Sequence, residues 1–529
     1  MRILICDGME KSGLQLLRAE ENIQVDAPEQ PTLEEIKNIL PECDAMVVRS
    51  RTKVTKDLLE YAPKLKVIGR AGSGVDNIDV QAASARGILV MNTPGANAMA
   101  AAEHTLALML ALARHIPQAT QSLREGRWEK KQFMGMELYQ QTLGIIGLGK
   151  VGSILAKRAL SMEMHVIAYD PHVTGDAAIA LGVELVSLSD LLNRSDFITL
   201  HTPLNPETRN LINSDTIAKM KRGVQIINCA RGGLIDENAL YQAIVGEQVA
   251  GAALDVFAQE PPGDNPLLEL ENVIFTPHLG ASSVQAQNNV ALAIASQLIN
   301  FLKNGLIHNA VNFPAISSKD FEKIQPYIAL AERLGNLQAQ LVALIERVEI
   351  EFSGMELLQL PLQALTQAAA KGLLDPILAE KVNFVNAPFL LKERKIDLIA
   401  SSTSETTGYS GLIKLTVQGK GAKCSAAGTV LPGKEIRLVR LYNYGLETEL
   451  EGVNLIIQNL DKPGVIGFIG STLGKYQVNI ANMHLSRTAK NDRAIAMVRL
   501  DEEAPSDALD TLRSHPDLLS VQQVRLPSN

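Results

Sequence analysis

Residues 143–152 read Leu143-Gly144-Ile145-Ile146-Gly147-Leu148-Gly149-Lys150-Val151-Gly152. A run of strand length comes first, and a Gly-x-Gly-x-x-Gly pattern follows it and opens a helical stretch to about Ser161. A lone match to this pattern is weak evidence, because a glycine-rich turn can arise by chance. A strand before it and a helix after it form the setting in which the pattern binds the pyrophosphate of a dinucleotide.

The next predicted strand supports the same interpretation. It spans Val166–Tyr169 and ends in Asp170, 18 residues beyond Gly152. A carboxylate at this place accepts hydrogen bonds from the adenosine ribose and repels a 2′-phosphate. No arginine follows Asp170 closely enough to bind such a phosphate. The sequence therefore predicts NAD rather than NADP as the cofactor.

Strand-like runs recur on both sides of this unit, and helix-length stretches separate most of them. Within residues 142–281 they fall at Leu143–Ile146, Val166–Tyr169, Phe197–Leu200, Val224–Ile227, Gly251–Leu254 and Val273–Phe275. In the first hundred residues they fall at Ile3–Cys6, Ala45–Val48, Val67–Ile68 and Leu89–Met91. This alternation predicts an α/β protein with two parallel, Rossmann-like sheets. Two apolar helices, Ala98–Arg114 and Val284–Asn304, would carry the chain to the second sheet and back, and we expect the first of them also to meet a partner chain.

The pattern changes after residue 312. A helix is predicted over Phe321–Ile345 and strands over Gly411–Gly419 and Ile436–Leu441, with no catalytic constellation and no identifiable ligand. From Val453 the order is strand, helix, strand, strand, helix, strand, which is typical of a ferredoxin-like domain. The predicted units are a substrate-binding domain (1–97 plus 285–312), an NAD-binding Rossmann domain (98–284), an α+β intervening domain (313–450) and a ferredoxin-like domain (452–529).

Composition excludes several functional classes. The 529 residues carry a net charge of −8 and only 4% aromatic residues, which is unlike a nucleic-acid-binding protein. Cys6, Cys43, Cys229 and Cys424 are scattered, so neither a disulfide scaffold nor a metal site is expected. The N-terminal apolar run is too short for a signal peptide, and the longest apolar stretch, Thr105–Ala113, is far below the ~20 residues that span a bilayer. We expect a soluble, cytoplasmic protein with no membrane or nucleic-acid partner.

Polar residues follow the ends of the strands within 142–281. The carboxyl ends of parallel strands lie at one rim of a sheet, so these residues should converge there. They are Thr202, Arg231, Asp255, Glu260 and His278.

Each of the three most informative residues has a structural alternative. A single histidine is more often a hydrogen-bonding group than a catalyst, Arg231 could form only a salt bridge, and Glu260 could only cap a turn. Together on the rim of a dinucleotide-binding sheet they suit the oxidation of a 2-hydroxy acid. His278 can take the hydroxyl proton, Glu260 can favour its protonated form, and Arg231 can bind a carboxylate.

Several strings resemble the D-isomer-specific 2-hydroxyacid dehydrogenases. They are Gly147–Gly152, Asn228–Gly233, Ala253–Pro262 and Pro277–Ser282. Three further strings narrow the resemblance to family members that oxidise 3-phospho-D-glycerate to 3-phosphohydroxypyruvate, at the start of L-serine biosynthesis. These are Val48–Ser50, Gly69–Asn77 and Asn92–Asn97. The length and the C-terminal segment resemble the long form, which has two extra domains.

The resemblance implies a role for each matching residue. Arg231, Glu260 and His278 would be catalytic, and Arg49, Arg70, Ser73 and Asn97 would bind the substrate. Cys229 is not expected to be a nucleophile, because nothing nearby in the sequence lowers its pKa. The cofactor-binding positions would be Gly147, Gly149, Lys150, Val151, Gly152, Asp170, Thr202, Cys229, Ala230, Asp255, Gly280 and Ala281.

The C-terminal strings Asn459–Val465 and Val478–Ile480 resemble an ACT domain, which in this family binds free serine between paired domains. The resemblance implies an L-serine effector site at Asn459, Asp461 and Asn479, and a homo-oligomer, either dimer or tetramer. An edge strand near Val453–Asn459 would pair two chains and bring Asp461 of one close to Asn479 of the other. Alternatively, Asp461 caps the helix whose first turn contains Pro463, and Asn479 belongs to a strand-edge turn.

Two other functions remain open at this point. The enzyme could act on another 2-oxo acid, of the glyoxylate or hydroxypyruvate type. The chain could also bind NAD without turnover, as corepressor relatives of the family do. The intact set of Arg231, Glu260 and His278 argues against the second, and the N-terminal arginines with the extra domains favour the phosphorylated substrate.

Overall fold

The first sheet is parallel and lies in the N-terminal part of a computed structural model, which describes residues 1–314, 316, 318–378, 381–405, 408–489 and 492–527. Its strands are β1 (Arg2–Ile5), β2 (Gln24–Asp26), β3 (Ala45–Val48), β4 (Val67–Arg70) and β5 (Leu89–Met91). Helices α1 (Lys11–Arg18), α2 (Leu33–Ile39), α3 (Lys56–Leu59) and α4 (Val80–Ala85) connect them. The order is β2-β1-β3-β4-β5, and separate apolar clusters cover the two faces.

The second sheet has seven parallel strands. Two helices precede it, α5 (Ala98–Ala113) and α6 (Ile116–Arg124). Its strands are β6 (Thr142–Ile146), β7 (His165–Tyr169), β8 (Glu184–Leu185), β9 (Phe197–Leu200), β10 (Val224–Asn228), β11 (Val249–Leu254) and β12 (Val273–Phe275). Between them lie α7 (Lys150–Ser161), α8 (Gly175–Leu181), α9 (Leu188–Arg194), α10 (Ser214–Ile217) and α11 (Glu237–Val245). The order is β12-β11-β10-β9-β6-β7-β8, with apolar side chains buried on both faces.

The structure confirms the predicted parallel sheets and adds two strands to them. The missed strands are β2, with three residues, and β8, with two. Both lie at a sheet edge, where half of the strand's environment is solvent. They are therefore too short and too polar to form a readable apolar run.

Helix α12 (Val284–Asn304) returns the chain to the first sheet, as predicted. Its Ile294 packs directly over Gly69 of β4, and its Ala291 packs against Gly13 of α1. After the helix, Asn312 Oδ1 accepts a hydrogen bond of 2.9 Å from the Val90 N–H. The first sheet is thus completed by residues that follow the second sheet in the chain.

Helix α5 is largely buried against the second sheet and α7, through residues that include Ala102, Leu108, Met109 and Leu112. Its apolar character on nearly every side reflects this position. Within the part of the chain that the structure describes, no helix is long and apolar enough to cross a membrane.

A third, mixed sheet follows and forms an α+β unit. Its helices are α13 (Ser318–Leu341), α14 (Met355–Leu358), α15 (Leu362–Leu374) and α16 (Ala387–Glu393). Its strands are β13 (Ile345–Ser353), β14 (Asp397–Thr403), β15 (Leu412–Gly419), β16 (Ala422–Leu431), β17 (Glu435–Leu441) and β18 (Tyr444–Glu449), in the order β14-β13-β15-β16-β17-β18. The prediction of one helix through Ile345 is wrong at its end, because Leu344 has a left-handed φ of 50° and Ile345 opens β13. The apolar residues 341–345 hid this break.

The fourth sheet contains β19 (Gly452–Leu460), β20 (Ile480–Arg487), β21 (Arg493–Leu500) and β22 (Leu518–Leu526), with helices α17 (Val465–Lys475) and α18 (Ser506–Arg513). It is antiparallel in the order β20-β21-β19-β22, which confirms the ferredoxin-like prediction. The predicted edge strand near Val453–Asn459 is wrong, because β19 pairs with β21 and β22. Each strand–helix–strand unit skips one position in this topology, so β19 and β21 are central and β20 and β22 are the edges.

One face and one edge of the fourth sheet are covered by α13. Ile456, Met497 and Val524 belong to the same buried cluster as the apolar residues of α13. The Gln340 amide exchanges two hydrogen bonds of 2.9 Å with the backbone of Arg525 on β22. The face that an isolated domain would expose is therefore buried. The other edge strand, β20, is hydrogen-bonded to β21 alone and lies close to β18 of the third sheet.

The packing of α1 on α12 gives the first prediction. A Cβ at Gly13 would lie 2.8 Å from the Ala291 carbonyl oxygen, so Gly13→Ala should lower the free energy of unfolding by about 1–3 kcal/mol. Gly467→Ala is the matched control, because Gly467 lies within α17 with nothing within 4 Å of the added Cβ. The control should stabilise its helix by up to about 1 kcal/mol. Denaturant unfolding measures both, and equal stability of the two variants would contradict the close packing of α1 and α12.

Candidate active site

His278 and Glu260 form a hydrogen-bonded pair on the rim of the second sheet. Glu260 follows β11 and His278 follows β12, and 2.9 Å separates His278 Nδ1 from Glu260 Oε2. Glu260 Oε1 also accepts a hydrogen bond of 3.2 Å from the Phe257 N–H. The His278 backbone has a left-handed φ of 56°, and its N–H donates to the Asp255 carbonyl at 2.9 Å. These contacts fix the imidazole with Nδ1 toward Glu260.

The pair favours the charged forms of both groups. The hydrogen bond to Glu260, together with its negative charge, raises the pKa of His278 although partial burial opposes this. Burial tends to raise the pKa of Glu260, but the hydrogen bond and charge of His278 outweigh it and hold that pKa below its usual range. His278 is therefore an imidazole whose proton affinity is increased by a carboxylate.

Two other histidines lie near this rim, and each has a different environment. His104 Nε2 lies 3.0 Å from Thr276 Oγ1 and 3.2 Å from Asp255 Oδ1. Burial lowers the pKa of His201 to about 4, so its imidazole stays neutral. Of the three histidines, His278 lines the open cleft.

The cleft lies between the first and second sheets and has a volume of about 600 Å³. Its lining includes Lys53, Arg70 and Asp76 from the first sheet's side and Arg231, Glu260 and His278 from the second. The arginine, the carboxylate and the histidine that were predicted to converge therefore do lie at one cleft.

Arg231 reaches across the cleft. It follows β10, and its Nε donates a hydrogen bond of 2.8 Å to Oδ2 of Asp76, which follows β4. Its Nη1 donates to the carbonyl oxygen of Ala230 at 2.6 Å. Arg231 thus does form a salt bridge, which the sequence left open as an alternative to a catalytic role. This salt bridge joins the two halves of the cleft.

The four predicted substrate residues divide into two pairs. Arg70 lines the cleft, and its buried Nε has no hydrogen-bond partner among the described residues. Burial and the positive charge of Arg231 lower the pKa of Arg70 to about 10, and Arg49 is close enough to add to this effect. Ser73 and Asn97 bond to each other instead, with 2.8 Å between Ser73 Oγ and Asn97 Oδ1. The structure therefore gathers Arg49, Arg70 and Arg231 into a cluster of cations.

The glycine-rich loop has the shape that a dinucleotide requires. Gly147 has a φ of 96°, and a Cβ at Gly152 would lie 2.1 Å from the Gly147 carbonyl oxygen. A Cβ at Gly149, the N-cap of α7, would meet nothing within 4 Å. The loop is therefore closed on the protein side and open above the helix N-terminus, where a phosphate binds well.

Asp170 and Thr202 also fit a bound dinucleotide. The Asp170 carboxylate accepts hydrogen bonds of 2.8 Å from the N–H groups of Leu148 and His172, which fixes it beside the glycine loop. The Thr202 hydroxyl is buried and has no partner among the described residues. A buried hydroxyl without a partner is costly unless a ligand satisfies it.

The remaining predicted cofactor positions have more varied contacts. Burial raises the pKa of Cys229 to about 12, so the thiol stays protonated, as expected for a residue that is not a nucleophile. Lys150 Nζ donates a hydrogen bond of 2.9 Å to the Pro94 carbonyl oxygen. The other backbone and side-chain positions, Val151, Ala230, Gly280 and Ala281, lie in the same rim of strand ends and helix α7.

Asp255 is the exception among these positions because it is fully enclosed. Its carboxylate bonds to Thr276 Oγ1, the Leu279 N–H and the Gly280 N–H at 2.5–2.8 Å and to His104 at 3.2 Å. Burial opposes its ionisation, but these hydrogen bonds lower its pKa. Through these hydrogen bonds Asp255 fixes the turn after β12 in which His278 lies.

Sequence reasoning missed three charged residues of the cleft, Lys53, Asp76 and Asp79. Asp76 lies inside the string Gly69–Asn77, but no pattern distinguishes it from its neighbours. Nothing in the sequence marks Lys53. Among the described residues, no group of three or more His, Cys, Asp or Glu side chains could hold a metal ion.

The three predicted effector residues do not meet within one chain. Asp461, after β19, pairs with Arg487 at the end of β20 at 2.7 Å. Asn479, before β20, donates to Asp501 at 2.6 Å. Because β19 and β20 both run antiparallel to β21, these two residues lie at opposite ends of the sheet. Asn459 is buried, and its Nδ2 donates to the Leu460 carbonyl oxygen at 2.7 Å.

The alternative helix-cap role of Asp461 is wrong. Helix α17 begins at Val465, and its N-cap is Gly464, with a φ of 94° and no side-chain cap. Pro463 therefore precedes the helix instead of lying in its first turn.

Comparison with known proteins agrees with this arrangement. Residues 106–280 match the NAD binding domain of the D-isomer specific 2-hydroxyacid dehydrogenases, and residues 323–442 match the D-3-phosphoglycerate dehydrogenase intervening domain. A crystal structure of D-lactate dehydrogenase from Aquifex aeolicus with NAD and lactic acid superposes with a TM-score of 0.53 at 28% identity, covering 60% of this chain and 100% of that one. The fold and the cleft are those of an NAD-dependent 2-hydroxyacid dehydrogenase.

Two relatives match over nearly the whole length. The D-3-phosphoglycerate dehydrogenase of Methanocaldococcus jannaschii is 44% identical and that of Bacillus subtilis (strain 168) is 40% identical. Each alignment covers 99% of this chain and 100% of the relative. The chain belongs to the D-3-phosphoglycerate dehydrogenase family. The predicted enzyme class and the NAD cofactor are thereby confirmed.

Proposed function

We propose that this protein oxidises 3-phospho-D-glycerate to 3-phosphohydroxypyruvate with NAD, at the start of L-serine biosynthesis. The observation that carries the proposal is that Arg70 and Arg231 line one cleft with His278, and that Arg49 lies close to Arg70. The substrate has a carboxylate at one end and a phosphate at the other, and guanidinium groups bind both well. The buried, unpartnered Nε of Arg70 supports the assignment of an anion to this place.

His278 is the proposed acid–base group of the reaction. Its Nδ1 is engaged by Glu260, so Nε2 is the nitrogen that can take the proton of the C2 hydroxyl. Glu260 stabilises the resulting imidazolium through its charge and hydrogen bond. Bound NAD supplies the acceptor for the hydride that leaves C2.

Arg231 is the proposed partner of the substrate carboxylate, and it stabilises negative charge on the reacting oxygen. Gly147, Gly149, Lys150, Val151 and Gly152 would hold the pyrophosphate, and Asp170 the adenosine ribose. The remaining proposed cofactor positions are Thr202, Cys229, Ala230, Asp255, Gly280 and Ala281. Ser73 and Asn97 stay proposed substrate residues, joined to each other by their hydrogen bond.

A panel of 2-hydroxy acids tests the proposed substrate. NADH formation should be fast with 3-phosphoglycerate and slow with glycerate or lactate. Arg70→Gln should raise the KM for 3-phosphoglycerate by about tenfold or more, because a buried charge-assisted contact is lost. Arg86→Gln is the control, since Arg86 is exposed at the C-terminal end of α4 and outside the cleft. Equal use of unphosphorylated acids would favour the alternative, a reductase of another 2-oxo acid.

The His278–Glu260 pair predicts a specific pH dependence. Oxidation needs neutral His278, so its rate falls as the pH drops below the raised pKa of that residue. Glu260→Gln removes the charge that raises this pKa and should move the acidic limb of oxidation to lower pH. The alkaline limb of the reverse reaction, which needs the imidazolium, should also move to lower pH. Profiles of kcat/KM in both directions measure the shift, and unchanged limbs would exclude the coupling.

L-Serine is the proposed effector, bound between two copies of the fourth sheet. This assignment treats that sheet as an ACT domain. If two β20 edges pair antiparallel, Asn479 of one chain lies beside Arg487 of the other, and Arg487 is already paired with Asp461. Asp461 could take the ammonium of serine, amides near Gly464 its carboxylate, and Asn479 its hydroxyl. Asn459, two residues before Asp461, is buried.

Inhibition assays test the effector site. L-Serine should inhibit, with a coupling on the order of 1–3 kcal/mol, and glycine should inhibit less because it lacks the hydroxyl. Asp461→Ala should abolish the inhibition and keep the activity. Asp510→Ala is the control, because Asp510 is also a paired surface carboxylate but lies on α18. Full serine sensitivity of Asp461→Ala would place the site elsewhere.

A homo-oligomer is the proposed assembly. Six large apolar side chains of α5, α6 and the loop after α6 are exposed, among them Trp128 at 75% and Met134 at 80%. The others are Met99, Ile116, Leu123 and Tyr139. Exposed apolar surface of this kind marks protein interfaces. A second copy of the chain would bury it beside the cofactor-binding sheet.

The cytoplasm is the proposed location. The four cysteines are free, and burial raises the pKa of Cys43 to about 11 and of Cys424 to about 12. Free thiols suit a reducing compartment.

A further inference from the structure

One ion pair joins the two halves of the active-site cleft. Asp76 belongs to the segment after β4 of the first sheet, and Arg231 belongs to the segment after β10 of the second. Their contact, 2.8 Å between Asp76 Oδ2 and Arg231 Nε, connects residues 155 positions apart. Both residues line the same cleft as His278.

The guanidinium of Arg231 is held on three sides. Asp76 engages Nε, and the Ala230 carbonyl oxygen engages Nη1. Nη2 lies so close to Gly74 that a Cβ there would be only 1.9 Å away. The side chain therefore keeps one orientation, although a free arginine has large rotational freedom that it loses when it binds a ligand.

Asp76 also faces the other cations of the cleft. The negative charge of Asp76 raises the pKa of Arg70, whereas the positive charges of Arg231 and Arg49 lower it. Asp7, the other carboxylate that acts on Arg70, is already committed to structural contacts with the Arg49 N–H at 2.7 Å and with Thr52. Asp76 is thus the carboxylate that contacts Arg231, the arginine proposed to bind the substrate carboxylate.

We propose that Asp76 is a positioning residue that acts through Arg231. It fixes the guanidinium by its Nε side, so that the group is already oriented when it meets the carboxylate of the substrate. Ordering the arginine before binding lowers the entropic cost of binding and of reaching the reactive geometry. The inference rests on the proposed role of Arg231, but not on which 2-hydroxy acid is the substrate.

A structural role and a positioning role make different predictions. Asp76 is 62% exposed, and an ion pair with such an exposed partner contributes little to stability. Asp76→Asn should therefore leave the thermal midpoint nearly unchanged and lower kcat/KM for the 2-oxo acid by about tenfold or more. The KM for NADH should stay unchanged, because the loss is confined to the substrate's carboxylate.

The experiment uses the full-length enzyme with NADH and the 2-oxo acid that the unmodified protein reduces. Asp510→Asn is the matched control, because the Asp510 side chain is 71% exposed and also pairs with an arginine, Arg513, but lies on α18 outside the cleft. Oxalate, a planar dicarboxylate, serves as a competitive probe of the carboxylate site. Its inhibition constant should rise in Asp76→Asn and in Arg231→Lys, and the double variant should show no further rise. Asp76→Glu should recover part of the activity.

Two results would overturn the proposal. One is Asp76→Asn within about twofold of the unmodified enzyme in kcat/KM and oxalate inhibition. The other is an equal loss in Asp510→Asn, or additive losses in the Asp76→Asn, Arg231→Lys double variant. If Asp76→Asn is unstable, Asp76→Glu decides by the same two measurements. Failure of the unmodified enzyme with 3-phosphohydroxypyruvate would refute the proposed substrate instead, and the Asp76 test then proceeds with the acid that is reduced.

Discussion

The cleft depends on the two places where the chain passes between the parallel sheets, through α5 and α12. In each sheet all strands run in the same direction, so the loops after their carboxyl ends lie at one edge. The crossings turn these two edges toward each other. Arg70 at the end of β4 can therefore lie near Arg231 after β10, and Lys150 can reach the Pro94 carbonyl oxygen. Loss of the α12 contact with β4 would separate groups that no local contact brings together.

The charges of the cleft are arranged before any ligand binds. The His278–Glu260 pair stabilises a proton on the imidazole, while Arg70 is repelled by the positive charges of Arg231 and Arg49. Fixed charges of this kind need little reorganisation when the substrate arrives. The cations attract anionic groups, and the pair holds the proton that the reaction moves. Binding and proton transfer are thus assigned to separate groups of one cleft.

The sequence predicts the parts of the fold that depend on local patterns. Buried strands such as Ala45–Val48 and Phe197–Leu200 are recognisable because both of their faces are apolar. Which strand lies at an edge depends on topology, and for this reason the local pattern wrongly predicts β19 as an edge strand. The position of a residue just after a strand identifies it as a residue of the rim. This position does not determine the direction in which its side chain points. Asp255 is enclosed by four hydrogen-bonding groups, and the partnership of Asp76 with Arg231 spans 155 positions.

The completion of the first sheet by Asn312 has a consequence for how the protein is made. The Val90 N–H donates its hydrogen bond to a residue 222 positions later, and Ile294 of α12, which packs over Gly69 of β4, is similarly distant in the sequence. During synthesis the first sheet leaves the ribosome before the segment that covers it exists. The second sheet is contiguous and can fold as a unit in the meantime. Contacts between distant residues form slowly because a long loop must close. The first sheet is therefore the first to be synthesised, yet it has to wait for residues 284–312, and its bare apolar face is the surface that needs protection during that interval.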